Sequence, residues 1–179
     1  MKKTISVLVE KDPGGLARII SLLTRRRFLI ESITIGGCER EYFERIIIVV
    51  LDENDGSGNA TQLTKQLGKL LNVIEVKDIS DYESIRRELI LIKLLVSVPE
   101  RIEILNIAKV FDLKVLEIGD STISLEGTAD PQEIYRLQKV FKKYKILELL
   151  KTGEIVLTCD QRFTYDSKKG SKGISTKRF

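Results

Sequence analysis

The chain has 179 residues, a 42% apolar and 31% charged composition, and a formal net charge of +4. That balance is typical of an ordinary globular protein of one medium or two small domains, each small core being marginal alone. The longest apolar runs, residues 46–51 and 89–92, are far too short to cross a bilayer. No membrane association is expected from them.

Residues 3–10 alternate Ile5, Val7 and Val9 with Ser6 and Glu10, the period of a strand. Asp12-Pro13-Gly14-Gly15 breaks the strand, and Leu16, Ile19, Ile20, Leu22 and Leu23 recur at helical spacing. Asp12 is read as the N-cap, with Pro13 as the first helical residue. Arg25, Arg26 and Arg27 end the helix where its dipole favours cations. Strands are predicted over 28–35 and 43–51, a polar loop over 54–59, a helix over 60–71 with Leu63, Leu67, Leu70 and Leu71 on one face, and a strand over 73–79. The order is βαββαβ.

The order then repeats without repeating the residues. A strand is predicted over 86–98, a helix over 102–111, strands over 114–118 and 122–126, a helix over 131–143 opened by Asp130, and extended segments over 146–150 and 154–158. The expected fold class is α+β, two consecutive ferredoxin-like βαββαβ domains over 3–79 and 86–160. Residues 80–85 form the expected linker, and 161–179 a basic, disordered tail. The third strand is apolar at consecutive positions from Ile46 to Val50, so both faces of the sheet require burial there. Dimerisation or stacking of the two domains would provide it.

The chain has no histidine, so imidazole bases, Ser-His and Cys-His dyads and histidine metal ligands are excluded. Cys38 and Cys159 are isolated, and two cysteines do not make a secreted disulfide scaffold. Glu39, Glu41 and Glu44 are read as a solvated loop rather than a metal site. No Walker A loop or Gly-x-Gly-x-x-Gly is present. Neither catalysis nor a resident cofactor or metal is expected of this chain.

The most site-like stretch is Lys11-Asp12-Pro13-Gly14-Gly15-Leu16, at the junction of the first strand and first helix. A helix N-terminus offers free backbone N–H groups and a favourable dipole to a carboxylate, and glycine lets a ligand approach. The same residues also describe a plain capped turn. An RNA-recognition module shares the βαββαβ order, but its base-stacking aromatics are missing from 5–9 and 43–50, so no nucleic-acid partner is expected. A free-standing amino-acid sensor fits the same features.

Several blocks, in order, resemble the small regulatory subunits of acetolactate synthase. They are residues 5–10, Pro13-Gly14-Gly15-Leu16-Ala17-Arg18-Ile19, 22–28, 30–36, 62–73, 87–93 and Glu148-Leu149-Leu150-Lys151-Thr152-Gly153. The resemblance implies an ACT domain followed by a second ferredoxin-like domain. It further implies a homodimer through the ACT domains that activates a large catalytic subunit. That subunit would carry thiamine diphosphate, magnesium and FAD and condense pyruvate in branched-chain amino acid synthesis. The effector, valine in many members, would lie on Lys11, Asp12, Gly14, Gly15, Leu16, Leu29 and Ile30, and the catalytic subunit on Gln62, Gln66 and Arg45. Three positions depart from the family: Lys11 and Leu29 stand where asparagines are usual, and Arg27 where glycine is. Leu29 cannot accept a hydrogen bond from an ammonium group and Lys11 repels it, so valine feedback is expected to be weakened while activation is kept. Cys159-Asp160 replaces an Arg-Gly pair without a physical account. The Ile- and Lys-rich, Ala-poor composition suggests a plastid genome, so a plastid stroma or a bacterial cytoplasm is the expected compartment.

Overall fold

The computed structural model describes residues 2–25, 28–51 and 58–159. The first unit contains β1 (Lys2–Glu10), α1 (Gly15–Arg25), β2 (Leu29–Gly37), β3 (Phe43–Leu51), α2 (Gly58–Leu67) and β4 (Val73–Asp78). Its strands form one antiparallel sheet in the order β2-β3-β1-β4. Strand alternation sends Ile5, Val7, Val9, Ile46, Ile48 and Val50 to one face, where Ile19 and Leu23 of α1 and Leu63 and Leu67 of α2 bury them.

The second unit contains β5 (Ser84–Leu95), α3 (Val98–Val110), β6 (Lys114–Ile118), β7 (Thr122–Ala129), α4 (Pro131–Phe141), β8 (Lys145–Lys151) and β9 (Ile155–Thr158). Its strand order, β6-β7-β5-β8, is that of the first unit, and its core gathers Ile90, Ile92 and Leu94 with Ile104, Leu137 and Phe141. The fold is therefore α+β, two ferredoxin-like units in series.

Several boundaries differ from the sequence expectation, each for a local reason. The first helix begins at Gly15, not Pro13, because Asp12 closes a turn by accepting from the N–H of Gly15 through its carbonyl (2.9 Å) and from that of Gly14 through its carboxylate (3.3 Å). α2 stops at Leu67 rather than Leu71. After Gly68, i to i−3 bonds from Lys69 to Gln66 and from Leu70 to Leu67 tighten the chain into a turn, and Leu71 is 99% exposed instead of on the apolar face. α3 starts at Val98, not Ile102, where Glu100 accepts from the Ser97 N–H (2.8 Å) and Pro99 occupies the first turn. β5 begins at Ser84, inside the expected linker, because residues 84–87 pair with β9. β7 runs on to Ala129 because Ala129 stays in register with Glu88. The predicted loop at 54–59 falls partly, and Arg26, Arg27, Asp160 and the tail at 161–179 wholly, outside the described residues.

The doubly apolar third strand is resolved by stacking of the domains. Ile47 and Val49 face away from the helices, and with Ile79 they pack against Val156 of β9. β9 continues the edge of β5 taken by β8 after an interruption at Thr152-Gly153-Glu154, where Gly153 has φ +82°. The Thr34 hydroxyl donates to the Thr152 carbonyl at 3.3 Å, so β2 rests directly on this interruption.

Candidate functional site

The loop from Lys11 to Gly15 leaves β1 at its C-terminal end. Lys11, Asp12 and Pro13 are exposed, while Gly15 is buried as α1 begins. The amides of Gly14 and Gly15 are already given to Asp12, whose carboxylate also pairs with Arg18. The first i to i−4 bond of this turn runs from the Arg18 N–H to the Gly14 carbonyl (3.2 Å). The N–H groups of Leu16 and Ala17 therefore precede the helical ladder and are the donors this terminus can offer a ligand. Both residues are exposed.

Leu29 and Ile30 are not beside this loop. Leu29 pairs with Leu51, which in turn pairs with Lys2, so Leu29 lies at the end of the sheet where β1 starts. At about 3.3 Å per residue along β1, roughly 25 Å separate it from the Gly14-Gly15 turn. The expected effector residues thus form two half-sites at opposite ends of one sheet.

The expected partner residues are also divided. Gln62 is exposed and Gln66 half-buried on α2, in the helix layer. Arg45 opposes Leu8 and projects from the other face of the sheet, where its guanidinium donates to the Ser6 hydroxyl (3.3 Å) and pairs with Glu39 (3.5 Å). The three do not make one patch. Cys38 and Cys159 are free thiols, and among the described residues no group of three His, Cys, Asp or Glu side chains could hold a metal ion. No helix of the described residues is long and apolar enough to cross a membrane.

Two features went unnoticed in the sequence. Asn72, in the turn before β4, is buried against Gly15. Its signal was a lone amide inside the apolar run Leu70, Leu71, Val73 and Ile74. The second is a charged junction between the units. Glu154 is 3% exposed and pairs with Lys2 and with Arg86 (3.5 Å), and Lys2 also reaches Glu31 (3.2 Å). Arg86 donates further to the Thr4 hydroxyl (3.1 Å) and the Ser80 carbonyl (3.4 Å). Burial disfavours the Lys2 ammonium, but Glu154 and Glu31 outweigh it and hold its pKa above the ordinary 10.5. A cleft of about 340 Å³ opens beside this junction, lined by Lys2, Glu31, Glu88, Tyr135, Lys151 and Glu154.

Fold and loop together define a module of the ACT type in tandem with a second ferredoxin-like unit. Residues 5–75 match the small-subunit-like ACT domain of acetohydroxyacid synthase, and residues 87–160 match the family described as the small subunit of acetolactate synthase. The chain is 37% identical to the acetolactate synthase small subunit of Mycolicibacterium smegmatis, over 85% of this chain and 88% of that one. It is also 37% identical to a probable small subunit from Archaeoglobus fulgidus, over 88% and 96% of the two chains. The solved structure of a small subunit from Thermotoga maritima superposes with a TM-score of 0.79 at 24% identity, covering 88% of this chain and 97% of that one, which establishes the fold. The chain belongs to the acetolactate synthase small-subunit family, the non-catalytic, regulatory subunits of branched-chain amino acid synthesis. These relatives are bacterial and archaeal, and they lend the plastid expectation no support.

Proposed function

We propose that this chain activates a separate catalytic subunit, which carries thiamine diphosphate, magnesium and FAD, and that it does so as a homodimer in which valine feedback is weakened. The observation that carries the reading is the separation of the half-sites. β2 is an edge strand of the first sheet. Two copies related by a two-fold axis, joined antiparallel along this edge, would form one continuous sheet. The start of β2 in one copy then falls at the end of the sheet where the other copy carries its Lys11–Gly15 loop. A composite effector site at each end of the joint follows.

The edge has the composition this needs. Leu29 is 51% exposed, and Ile35 of β2 and Leu16 and Ile20 of α1 are exposed apolar side chains. α2 packs chiefly on β4, so α1 covers the β2 side of the sheet and brings Leu16 and Ile20 toward that edge. In such a site the ammonium group of valine meets Leu29, which offers no acceptor, and Lys11, which repels it. A carboxylate is still served by the Leu16 and Ala17 amides. Of the partner-facing candidates, Gln62 is the one available to a subunit docking on the helix layer, and Arg45 would need a contact beyond the sheet.

The test is acetolactate formation by the cognate catalytic subunit with and without this chain and with and without valine. The expected result is a several-fold higher rate that valine does not reverse. Reversal by valine would refute the weakened feedback, and an unchanged rate would refute the activator and favour a free-standing sensor.

A further inference from the structure

The turn after α2 places Asn72 immediately before β4, and its backbone carbonyl accepts from the N–H of Glu10 (2.9 Å), the last residue of β1. The residue is 5% exposed, and both Nδ2 and Oδ1 are buried without a hydrogen-bond partner. Burying an unpaired amide costs on the order of 1–3 kcal/mol per group, so native proteins keep few of them, and those few call for an explanation. The carboxamide fills the space a Gly15 side chain would take: a Cβ there would run into Nδ2 and come within 3.4 Å of Cγ. A free donor and a free acceptor are thus held at the mouth of α1, next to the turn that presents the Leu16 and Ala17 amides.

We propose that Asn72 is a ligand-binding residue of this loop, and that the ligand is a short aliphatic monocarboxylate with an uncharged oxygen on its α-carbon, a 2-oxo or 2-hydroxy acid. This rests on the reading of the loop as an effector site and names the class of effector. The carboxylate takes the N–H groups of Leu16 and Ala17 and the positive end of the helix. Asn72 Nδ2 donates to the α-oxygen, and Oδ1 accepts from it when it is a hydroxyl. The exposed side chains of Leu16 and Ile20 receive the aliphatic part. An α-ammonium group finds no counter-charge: the Asp12 carboxylate is taken by Arg18, Lys11 adds a positive charge, and Glu10 alternates onto the opposite face of the sheet from α1. Both amide atoms are buried in this conformation, so ligand binding requires the Asn72 side chain to turn out past Gly15, which has no side chain to block it.

The experiment is calorimetric titration of the full chain, without catalytic subunit, with 3-methyl-2-oxobutanoate and separately with L-valine. The 2-oxo acid is expected to bind at least tenfold more tightly than valine. Asn72→Asp, which removes the donor and adds a repelling charge, is expected to weaken it at least tenfold. Equal or tighter valine binding, no binding of the 2-oxo acid, or unchanged affinity in N72D would each overturn the proposal. Should N72D not fold, the side-chain amide resonance of Asn72 in the unmodified protein decides instead. It is expected to shift on adding the 2-oxo acid and not on adding valine, and an unmoved resonance overturns the proposal. Rate activation of the catalytic subunit is measured separately, so its loss alongside intact 2-oxo acid binding would refute the activator reading and leave this inference standing.

Discussion

The junction at Glu154 gives the sharpest energetic prediction. Glu154→Gln keeps the shape and removes the charge, leaving Lys2 and Arg86 facing a neutral amide. Removing one partner of a buried pair costs about 3–5 kcal/mol. Here the cations are less enclosed than the carboxylate, with 35% of the Lys2 and 25% of the Arg86 side chain exposed, so both can turn toward water. The expected loss is therefore about 2 kcal/mol, read from urea unfolding near pH 8. The raised pKa of Lys2 adds a signature. A group whose pKa is higher when folded stabilises fully below its unfolded value and loses that contribution as pH rises through the folded one. The gap between the parent and E154Q should accordingly narrow above pH 10.5, as Lys2 loses its proton. A loss below about 0.5 kcal/mol, the level of an exposed ion pair, or a gap independent of pH in that range, would refute the account of the junction as a buried, charge-paired contact.

Gly153→Ala should cost about 2–3 kcal/mol, because φ is +82° and a Cβ would meet Thr34 Oγ1 at 2.8 Å and Ser32 Cβ at 3.1 Å. Unfolding by urea with full retention of stability would contradict it. Asp130→Ala removes a side chain that accepts from the N–H groups of Gln132 (2.8 Å) and Glu133 (2.9 Å) at the start of α4, and should lower stability by about 1 kcal/mol in the same assay. Ile35→Glu should weaken the proposed edge-to-edge dimer. Two symmetric copies each losing about 1.5 kcal/mol of apolar burial amount to roughly a hundredfold in the dissociation constant, measured by sedimentation.

How much of this was legible depended on whether the signal was local. β3 was read at residues 43–51 and β6 at 114–118, the bounds the structure has, since each is marked off by its own pattern. Periodicity also picked out Ile19 and Leu23, which α1 buries, although Leu16 and Ile20 of the same set stay exposed. It failed at Leu71, an apolar residue four positions past the end of α2 that continues the sequence pattern but not the structure. It failed at α3 because the strand expected over 86–98 takes in the capping Ser97, and the helix expected from Ile102 leaves out Pro99 and Glu100 of its first turn. The loop of the candidate site was legible from its glycines. The 25 Å or so between that loop and Leu29 was not, since only strand register shows which ends of β1 and β2 lie together. Arg45 and Gln62 failed to form a patch for the same kind of reason: which face a residue takes depends on the packing of the whole sheet. Gly153 had a readable signal, a lone glycine within an extended run, which marks an interruption of a strand.

The charge junction and the apolar contact at Val156 bear on the proposed dimer as well as on stability. Six successive apolar residues in β3 demand cover on both sides of the first sheet, and a face-to-face dimer would satisfy that demand as well as domain stacking does. In this chain the outward face is already taken. Ile47, Val49 and Ile79 are buried against the second unit, and Thr4 and Ser6 on that face are buried too. A second copy therefore gains little by approaching that face. The β2 edge keeps exposed apolar residues at both ends, Leu29 at its start and Ile35 near its finish. An exposed edge with apolar side chains is a template for strand addition. The stacking that completes the core of one chain thus leaves edge pairing as the favoured route to a dimer, and edge pairing is the arrangement that brings the separated half-sites together.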